Sequence, residues 1–477
     1  MATIVGFEDG NIVYNDDSGL IKKTPVSGGA SSFSQLTGMV QQSQISNPSP
    51  SWFNVKNYGA YGDTRITNDG VIASATTITS VTAKFTPADI GKVYYLLDEV
   101  YGIPFSGPGV ITAVTNSTTL VCTGINASRI GQTFKLVWGH DDTVALKAAW
   151  AAAEASPTGV TPALNENGMK TVYVPAGGYM FSSRPFSGTV APGVSLLGDG
   201  PRKTVFYPHP SFDFTSISAN QGMLWNPGSF SGYTGEIGNF SVFGCYINFT
   251  ASGSANTYLM GMNGPNFHDV IVEFSGTTAA LTSNVGGIYG SVNGVVRNVQ
   301  AISILTAGAS AMVIAGGGGV AFDLFASNST QNLTVRNINY SAFSGSFLTM
   351  VGCFVDEGGP ASAPAKFIAS TGITCFGCQF YTASNPSGGR AVEVDGTSII
   401  RFEGCTFGPY SYSFTASGGL TVDAGGVVYA SDNDFRSNSG GSAIINNGTI
   451  YDGLGNSVDA GGISGSGMIT QATIAMP

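Results

Sequence analysis

The second half of the chain repeats one short alternation: apolar, any, apolar, any, Gly or Asn, apolar, any, apolar. It reads Ile373, Cys375, Gly377, Cys378, Phe380 and again Ile400, Phe402, Gly404, Cys405, Phe407. Leu348, Met350, Gly352, Cys353, Val355 keeps the frame, and so does Phe240, Val242, Gly244, Cys245, Ile247. Leu333, Val335, Asn337, Ile338, Tyr340 and Val296, Asn298, Val299, Ala301 fit it, and Val428, Ala430, Asp432, Asn433, Phe435 is a weaker last copy. Strict alternation marks strands with one buried face, and the Gly or Asn marks a bend. Starts at 373, 400 and 428 are 27 and 28 residues apart, and starts at 240, 267 and 294 are 27 apart. A fixed period of this length predicts a solenoid. Strands inside that period predict the coils of a parallel β-helix, an all-β fold. The interval from 294 to 348 is irregular, so either Leu333 or Leu348 starts a strand on another face of its coil.

The frame puts four of the six cysteines, Cys245, Cys353, Cys378 and Cys405, at one position facing the bore. They read as small buried hydrophobes. No second C-x-x-C pair or histidine cluster accompanies Cys375 and Cys378, so neither a metal nor a cofactor is expected. Six cysteines in 477 residues form no small-scaffold disulfide framework.

Ahead of the repeat the chain changes character. Residues 1–30 form a small β-prone unit, with Asn11–Tyr14 and Leu20–Ile21 around the turn at 15–19. Residues 31–52 hold a linker and a polar stretch with only Leu36, Val40 and Ile45 as apolar anchors, closed by Pro48 and Pro50. That stretch has too little apolar surface to fold alone, and three copies around an axis would supply the missing burial. Residues 53–70 open the β-helix domain, 71–138 read as a small β insertion, and 139–455 carry a helix and the coils. Asp142 reads as the N-cap of that helix, with Leu146, Ala149, Trp150 and Ala153 on one face. It is expected to plug the open end of the bore. The repeat is expected to stop after Ile450, leaving residues 456–477 as a tail.

Composition narrows the partners. Sixty-seven glycines and 10% charged residues suit a long β protein with many turns. Mean hydropathy is +0.17, yet no run of 18 apolar residues occurs, so membrane insertion is not expected. The first 25 residues carry Glu8, Asp9, Asp16, Asp17, Lys22 and Lys23, which excludes a signal sequence with a clean apolar centre. The net charge of −10 argues against nucleic acid.

Phe53, Val55, Tyr58, Gly59, Ala60, Gly62 and Asp63, then Asp141-Asp-Thr143, then Val174-Pro175 with Gly177, Gly178 and Tyr179, and the step Leu197-Gly-Asp-Gly200 together resemble the pectate-lyase-3 type of right-handed β-helix domain. The stretch QLTGMVQQSQISNP resembles the neck segment of phage tail spikes and tail fibres. The resemblance covers residues 35–210. It implies a homotrimeric virion protein, made in the host cytoplasm, that binds and often cleaves bacterial surface polysaccharide. Residues 1–30 would then attach it to the phage tail or baseplate. Three functions stay open: a glycan-recognising spike, an active depolymerase of the hydrolase or lyase type, and a purely structural tail component. The matched motifs are all scaffold, and fold alone does not fix function.

Any chemistry therefore falls to the outward positions. No Arg-x-Pro-x-x-Arg, Gly-His-Gly or Asp-Pro-His-Glu motif occurs, and the chain has three histidines. His268-Asp269 reads as a turn hydrogen bond. Equivalent positions on adjacent coils lie ~4.8 Å apart, so carboxylates one or two coils apart could work as an acid pair. The candidate catalytic residues are Asp356, Glu357, Glu393 and Glu403. Asp423 is level with Asp395, and Arg297 and Arg336 take the outward position of Glu403 in earlier coils. Tyr381, Tyr410, Tyr412 and Trp225, with Arg401, are the candidate substrate-binding residues, because exposed rings suit flat sugar faces.

Overall fold

The computed structural model describes residues 3–8, 11–15, 21–25, 52–97, 104–155, 170–187, 194–209, 211–212, 221–226, 235–245, 257–262, 266–276, 285–292, 294–305, 310–317, 319–328, 331–336, 347–356, 365–382, 390–409, 418–437, 442–459 and 462–471. The chain divides into two units, Met1–Ser51 and Trp52–Pro477. In the first, Thr3–Glu8, Asn11–Asn15 and Ile21–Pro25 pair as a three-stranded antiparallel sheet. The proposed neck lies outside the described residues.

The second unit is a right-handed parallel β-helix. A late coil shows its plan. Thr371–Phe376 and Gln379–Thr382 flank the bend at Gly377, and Arg390–Val394 completes the coil. The first two strands join a 20-stranded sheet and the third a ten-stranded one. The next coil repeats this in parallel register, Ile373 opposite Ile400 and Cys375 opposite Phe402.

The bend follows a rule of backbone conformation. In register from coil to coil stand Asn239, Asp269, Asn298, Asp323, Gly352, Gly377, Gly404, Asp432 and Gly455. Every one has a φ between 50° and 85°. Only Gly, Asn and Asp visit this left-handed region readily, and only they occupy the file. The file also corrects two sequence frames. Asn239, not Gly244, holds the bend of its coil, so Cys245 falls outside the cysteine file. Leu333 lies on the ten-stranded sheet between Met312 and Ala365, whereas Leu348 pairs with Ile373. Arg336 therefore does not share the outward position of Glu403.

Cys353, Cys378 and Cys405 are free, buried and stacked in one file, which Asn433 continues. The Cys405 Sγ–H points at the carbonyl of Cys375, 3.3 Å away. Contact with Cys378 and burial together push the Cys405 thiol well up. Coil pairing continues beyond Ile450, since Thr449–Asp452 pairs with Met468–Gln471. The expected tail is thus further coil, carried by short strands that hide the alternation.

Residues between Arg65 and Gly139 form a closed six-stranded antiparallel barrel. Its first strand starts at Arg65, not at 71. The barrel has its own core around Ile72, Tyr94, Leu96, Leu120, Phe134 and Trp138. Tyr95, Leu97 and Val137 on its outside pack on Met180 and Tyr207 of the solenoid. Buried Lys92 reaches Asp89 at 2.8 Å and Asp63 at 2.7 Å.

The helix Thr143–Ala155 buries Leu146, Ala149, Trp150 and Ala153 in one core cluster with Phe53, Val55 and Val172. Asp142 starts it, but its carboxylate does not cap it. That carboxylate accepts the N–H groups of Tyr61 at 2.5 Å and Gly62 at 3.1 Å. Asp141 instead accepts the Thr143 N–H at 3.0 Å. Burial pushes the Asp142 carboxyl up to about 6.

Candidate functional site

Two outward files run along the 20-stranded sheet, one on each side of the bend. Before the bend stand His268, Arg297, Phe322, Val351, Phe376 and Glu403, one per coil. Arg297 thus shares the outward position of Glu403, as the sequence pattern predicts. After the bend, Phe325 stacks on Phe354 with centroids 5.5 Å apart and planes 13° apart. Tyr381 of the next coil meets Phe354 at 5.4 Å. These three rings alternate with inward Ala326, Val355 and Phe380, so period two turns them out of the core. They remain half-buried because each coil shields the next. The result is a three-coil aromatic strip on the outer wall, beside Phe322 at 37% exposure.

The predicted site residues separate on this frame. Tyr381 belongs to the strip. Asp356 ends the strand Phe354–Asp356 and is level with Tyr381, since Val355 pairs with Phe380. Arg401 and Glu403 stand half-exposed on Ile399–Glu403, before the bend. Glu393 is on the ten-stranded sheet, where Lys366 holds it at 3.1 Å. Glu393 and Glu403 therefore stand on different sheets. Glu357, Tyr410 and Tyr412 lie outside the described residues. Trp225 is fully buried in the solenoid core, on a strand paired with Phe186–Ser187, so it offers no ring to a sugar.

Next to Glu393, Asp395 serves the corner. It accepts the N–H of Ala369 at 2.9 Å and the hydroxyl of Ser398 at 2.6 Å. Burial raises its carboxyl, but hydrogen bonds from Ser398, Ala369 and Thr397 outweigh that and hold it low. Asp423, one coil on, is raised by burial and by the charges of Glu393 and Asp395.

The earlier coils hold a cluster that no local sequence pattern brings together. His268 is buried, with Nδ1 2.7 Å from Asp269 Oδ2 and Nε2 2.7 Å from Glu236 Oε1. The Asp269 contact matches the local pair expected from sequence. The Glu236 contact crosses to the preceding coil and follows only from the register, in which Glu236 faces Asn266 and Gly238 faces His268. Gly238 faces this residue closely, since a Cβ on it would meet the His268 carbonyl oxygen at 2.4 Å and the ring at Cε1 at 2.8 Å. Asn266 Nδ2 adds a bond to Glu236 Oε1 at 3.1 Å, and Asn298 Nδ2 donates to Asp269 Oδ1. Burial raises the Asp269 carboxyl, but the bonds from His268 and Asn298 outweigh it and hold it below the usual range.

A third feature is a cleft of about 230 Å³ between barrel and solenoid, lined by Ile66, Arg202, Tyr207, Ser241, Phe243 and Glu273. Arg202 and Glu273 close it with a 3.1 Å ion pair. Among the described residues no group of three or more His, Cys, Asp or Glu is arranged to hold a metal ion. No helix among them is long and apolar enough to cross a membrane.

No family model matches the chain, and no curated protein matches it. Solved structures do. The A-module of a mannuronan C-5 epimerase from Azotobacter vinelandii is 14% identical, with a TM-score of 0.32 over 69% of this chain and 94% of that one. The ORF18 protein of Geobacillus virus E2 is 11% identical, with a TM-score of 0.35 over 96% and 67%. The enzymatically active domain of tailspike protein 2 of bacteriophage CBA120 is 10% identical, with a TM-score of 0.38 over 84% and 57%. Phage tailspikes thus stand among the proteins whose coiled architecture this chain is similar to.

Proposed function

We propose that this protein is a phage tail spike that recognises a bacterial surface polysaccharide. The observation that carries the reading is the outward strip in which Phe325 stacks on Phe354 and Tyr381 of the next coil meets Phe354 at a 60° tilt. Solenoid coils repeat every ~4.8 Å along the axis, so a glycan laid along the wall meets a ring at successive steps. Apolar ring faces pack on the C–H faces of sugars, and the Tyr381 hydroxyl adds a polar tip. An acidic chain with 10% charged residues suits such contacts better than it suits a polyanion.

The spike is a homotrimer, assembled through the polar neck before Trp52. It is made in the host cytoplasm and carried on the virion tail, where residues 1–30 attach it to a tail or baseplate protein. Removing residues 1–50 should leave glycan binding intact and abolish incorporation into particles. Sedimentation of the full chain at monomer mass would contradict the trimer.

The binding reading is tested by titrating polysaccharide, purified from a strain to which the labelled protein adsorbs, against the wild type and a Phe354→Ala, Tyr381→Ala double variant. The double variant should bind ~10–100-fold more weakly, or ~1.4–2.8 kcal/mol. Unchanged affinity in the folded double variant would overturn it. Absence of adsorption to any strain in a broad panel would favour a structural tail component.

A further inference from the structure

The cleft between barrel and solenoid stands at the head of the wall that carries the aromatic strip. We infer that it is a terminal sugar subsite, in which Arg202 and Glu273 read two neighbouring hydroxyls of the last unit of a glycan. This subsite presupposes the glycan reading above and adds to it residues outside the strip. Register joins the two places. Ser241 pairs with Ile271, Ile271 with Gln300, Gln300 with Phe325 and Phe325 with Phe354. Two residues further along the strands, Phe243 pairs with Glu273 and Glu273 with Ile302. Cleft and strip thus lie on one outward face, after the bend. A single coil separates Glu273 from Phe325, and it turns Gln300 and Ile302 outward, both half-buried. The barrel bounds the cleft on the other side. There Ile66 lines it, and Tyr95, Leu97 and Val137 pack on Met180 and Tyr207. A glycan running from the strip toward the earlier coils therefore ends at the cleft.

The cleft offers both kinds of surface that hold a sugar ring. Tyr207 and Phe243 meet edge to face at 5.9 Å and form an apolar bed for the C–H face of a ring. The charged pair stands at the rim. Arg202 precedes the strand Thr204–Pro208 and crosses the strand Glu236–Cys245 to reach Glu273, with Nη2 3.1 Å from Oε1. The Arg202 side chain is 73% exposed and that of Glu273 32%. So exposed an ion pair contributes little to stability. Yet Arg202 is held at a φ of 65°, with its backbone N–H fixed on Ser241 Oγ at 2.9 Å. A long side chain in the left-handed region is strained, and such strain gathers at binding sites. The ion pair alone does not offset it, whereas placing a guanidinium over the cleft gives it a use. A guanidinium has five N–H donors, and a carboxylate only accepts. Among the described residues Glu273 is the one partner of this guanidinium, so its other donors face the cleft mouth and solvent. One sugar hydroxyl accepts from Arg202 while its neighbour donates to Glu273. The pair is neutral as a whole and therefore suits an uncharged sugar with two adjacent hydroxyls. Glu273 would repel the carboxylate of an acidic one.

The test uses the full-length protein and oligosaccharides of graded length, made by partial acid hydrolysis of a polysaccharide to which it adsorbs. Calorimetry reads their affinities. From the coil of Tyr381 to that of Glu273 is four coil steps, ~19 Å at ~4.8 Å each. Wild-type affinity should rise in a step once an oligosaccharide spans this distance. Arg202→Asn, which accepts the left-handed backbone, and Glu273→Gln should each remove the step and bind long oligosaccharides ~10-fold more weakly, or ~1.4 kcal/mol. Both should bind short ones as the wild type does and keep its melting temperature. Combining them should add little, because both side chains hold the same sugar. The step should also survive high salt, which screens the attraction of Arg202 for an anion. Its loss there would overturn the uncharged class. An ion pair of structural value only would leave the step in place in both variants. That result, or an equal loss at every length, overturns this inference and leaves the binding reading standing as long as Phe354→Ala, Tyr381→Ala weakens the short oligosaccharides. Unchanged binding in that double variant overturns the glycan reading, and this inference with it.

Discussion

Asn433 takes the place of a cysteine in the bore, and its side-chain oxygen accepts the backbone N–H of Cys405 at 2.8 Å. Its amide nitrogen donates to the carbonyl of Phe402 at 3.0 Å and to Asn456 Oδ1 at 3.0 Å. Asn433 is 1% exposed, so these groups have no water to turn to. Replacing it with Ala orphans the Cys405 N–H and the Phe402 carbonyl, at ~1–3 kcal/mol each. Asn433→Ala should therefore lower the unfolding free energy in urea by several kcal/mol. A loss under ~0.5 kcal/mol would mean that the late coils are not closed by this bond.

The thiols offer a second check. Cys122, Cys353, Cys375, Cys378 and Cys405 are free and buried, and burial pushes Cys122 up to about 12. The thiolate is the reactive species, so these five should stay unlabelled by a thiol reagent in the native state and react on denaturation. Mass spectrometry after brief labelling reads each site separately. Replacing Cys378 with Asp should destabilise by several kcal/mol, because among the described residues no partner for a charge faces that file.

How much of this was legible beforehand depends on the residue. The bend at Gly352, Gly377 and Gly404 announces itself, because glycine between alternating apolar residues has few other uses. Asn239, Asp269 and Asp323 hold the same left-handed bend with residues that are common in ordinary turns, so only the register reveals them. Trp225 looked like a loop aromatic because its strand is two residues long. The Glu236–His268 bond joins residues 32 apart through an offset of two in strand register, which no local pattern encodes. Tyr381 reads from sequence as a loop aromatic after an outer corner, whereas it lies on the strand Gln379–Thr382, whose four residues are too few to show their alternation.

Lys92 holds the barrel to the first turn of the solenoid domain. Burial would lower its ammonium, but the bonds to Asp63 and Asp89 outweigh this and raise it. Lys92→Met leaves two carboxylates without their cation, one of them 1% exposed. Removing one partner of a buried ion pair costs about 3–5 kcal/mol. Thermal unfolding of Lys92→Met should show the barrel melting early. An unchanged profile would assign the barrel's attachment to Tyr95, Leu97 and Val137 alone.

Asp142 works in the opposite sense with pH. Burial disfavours the charge and pushes its native carboxyl up to about 6, above the ordinary range of an aspartate. The folded state then holds a proton that the unfolded state has lost, so this residue's contribution is present below pH ~4 and declines as pH rises through about 6. Against Asp142→Asn, which does not titrate, wild-type stability should fall by ~2–3 kcal/mol between pH 4 and pH 7. A difference that is flat or grows with pH would contradict the burial of an ionisable carboxyl beside Tyr61 and Gly62.

The central claim is that a glycan lies along the outer wall of the coils. The most direct measurement is a crystal structure of the full-length protein with an oligosaccharide cut from the polysaccharide it adsorbs to. The account predicts sugar density over Phe325, Phe354 and Tyr381, running along the axis. Sugar bound instead at the ten-stranded sheet around Glu393, or in the Arg202–Glu273 cleft, with the aromatic strip bare, would contradict it.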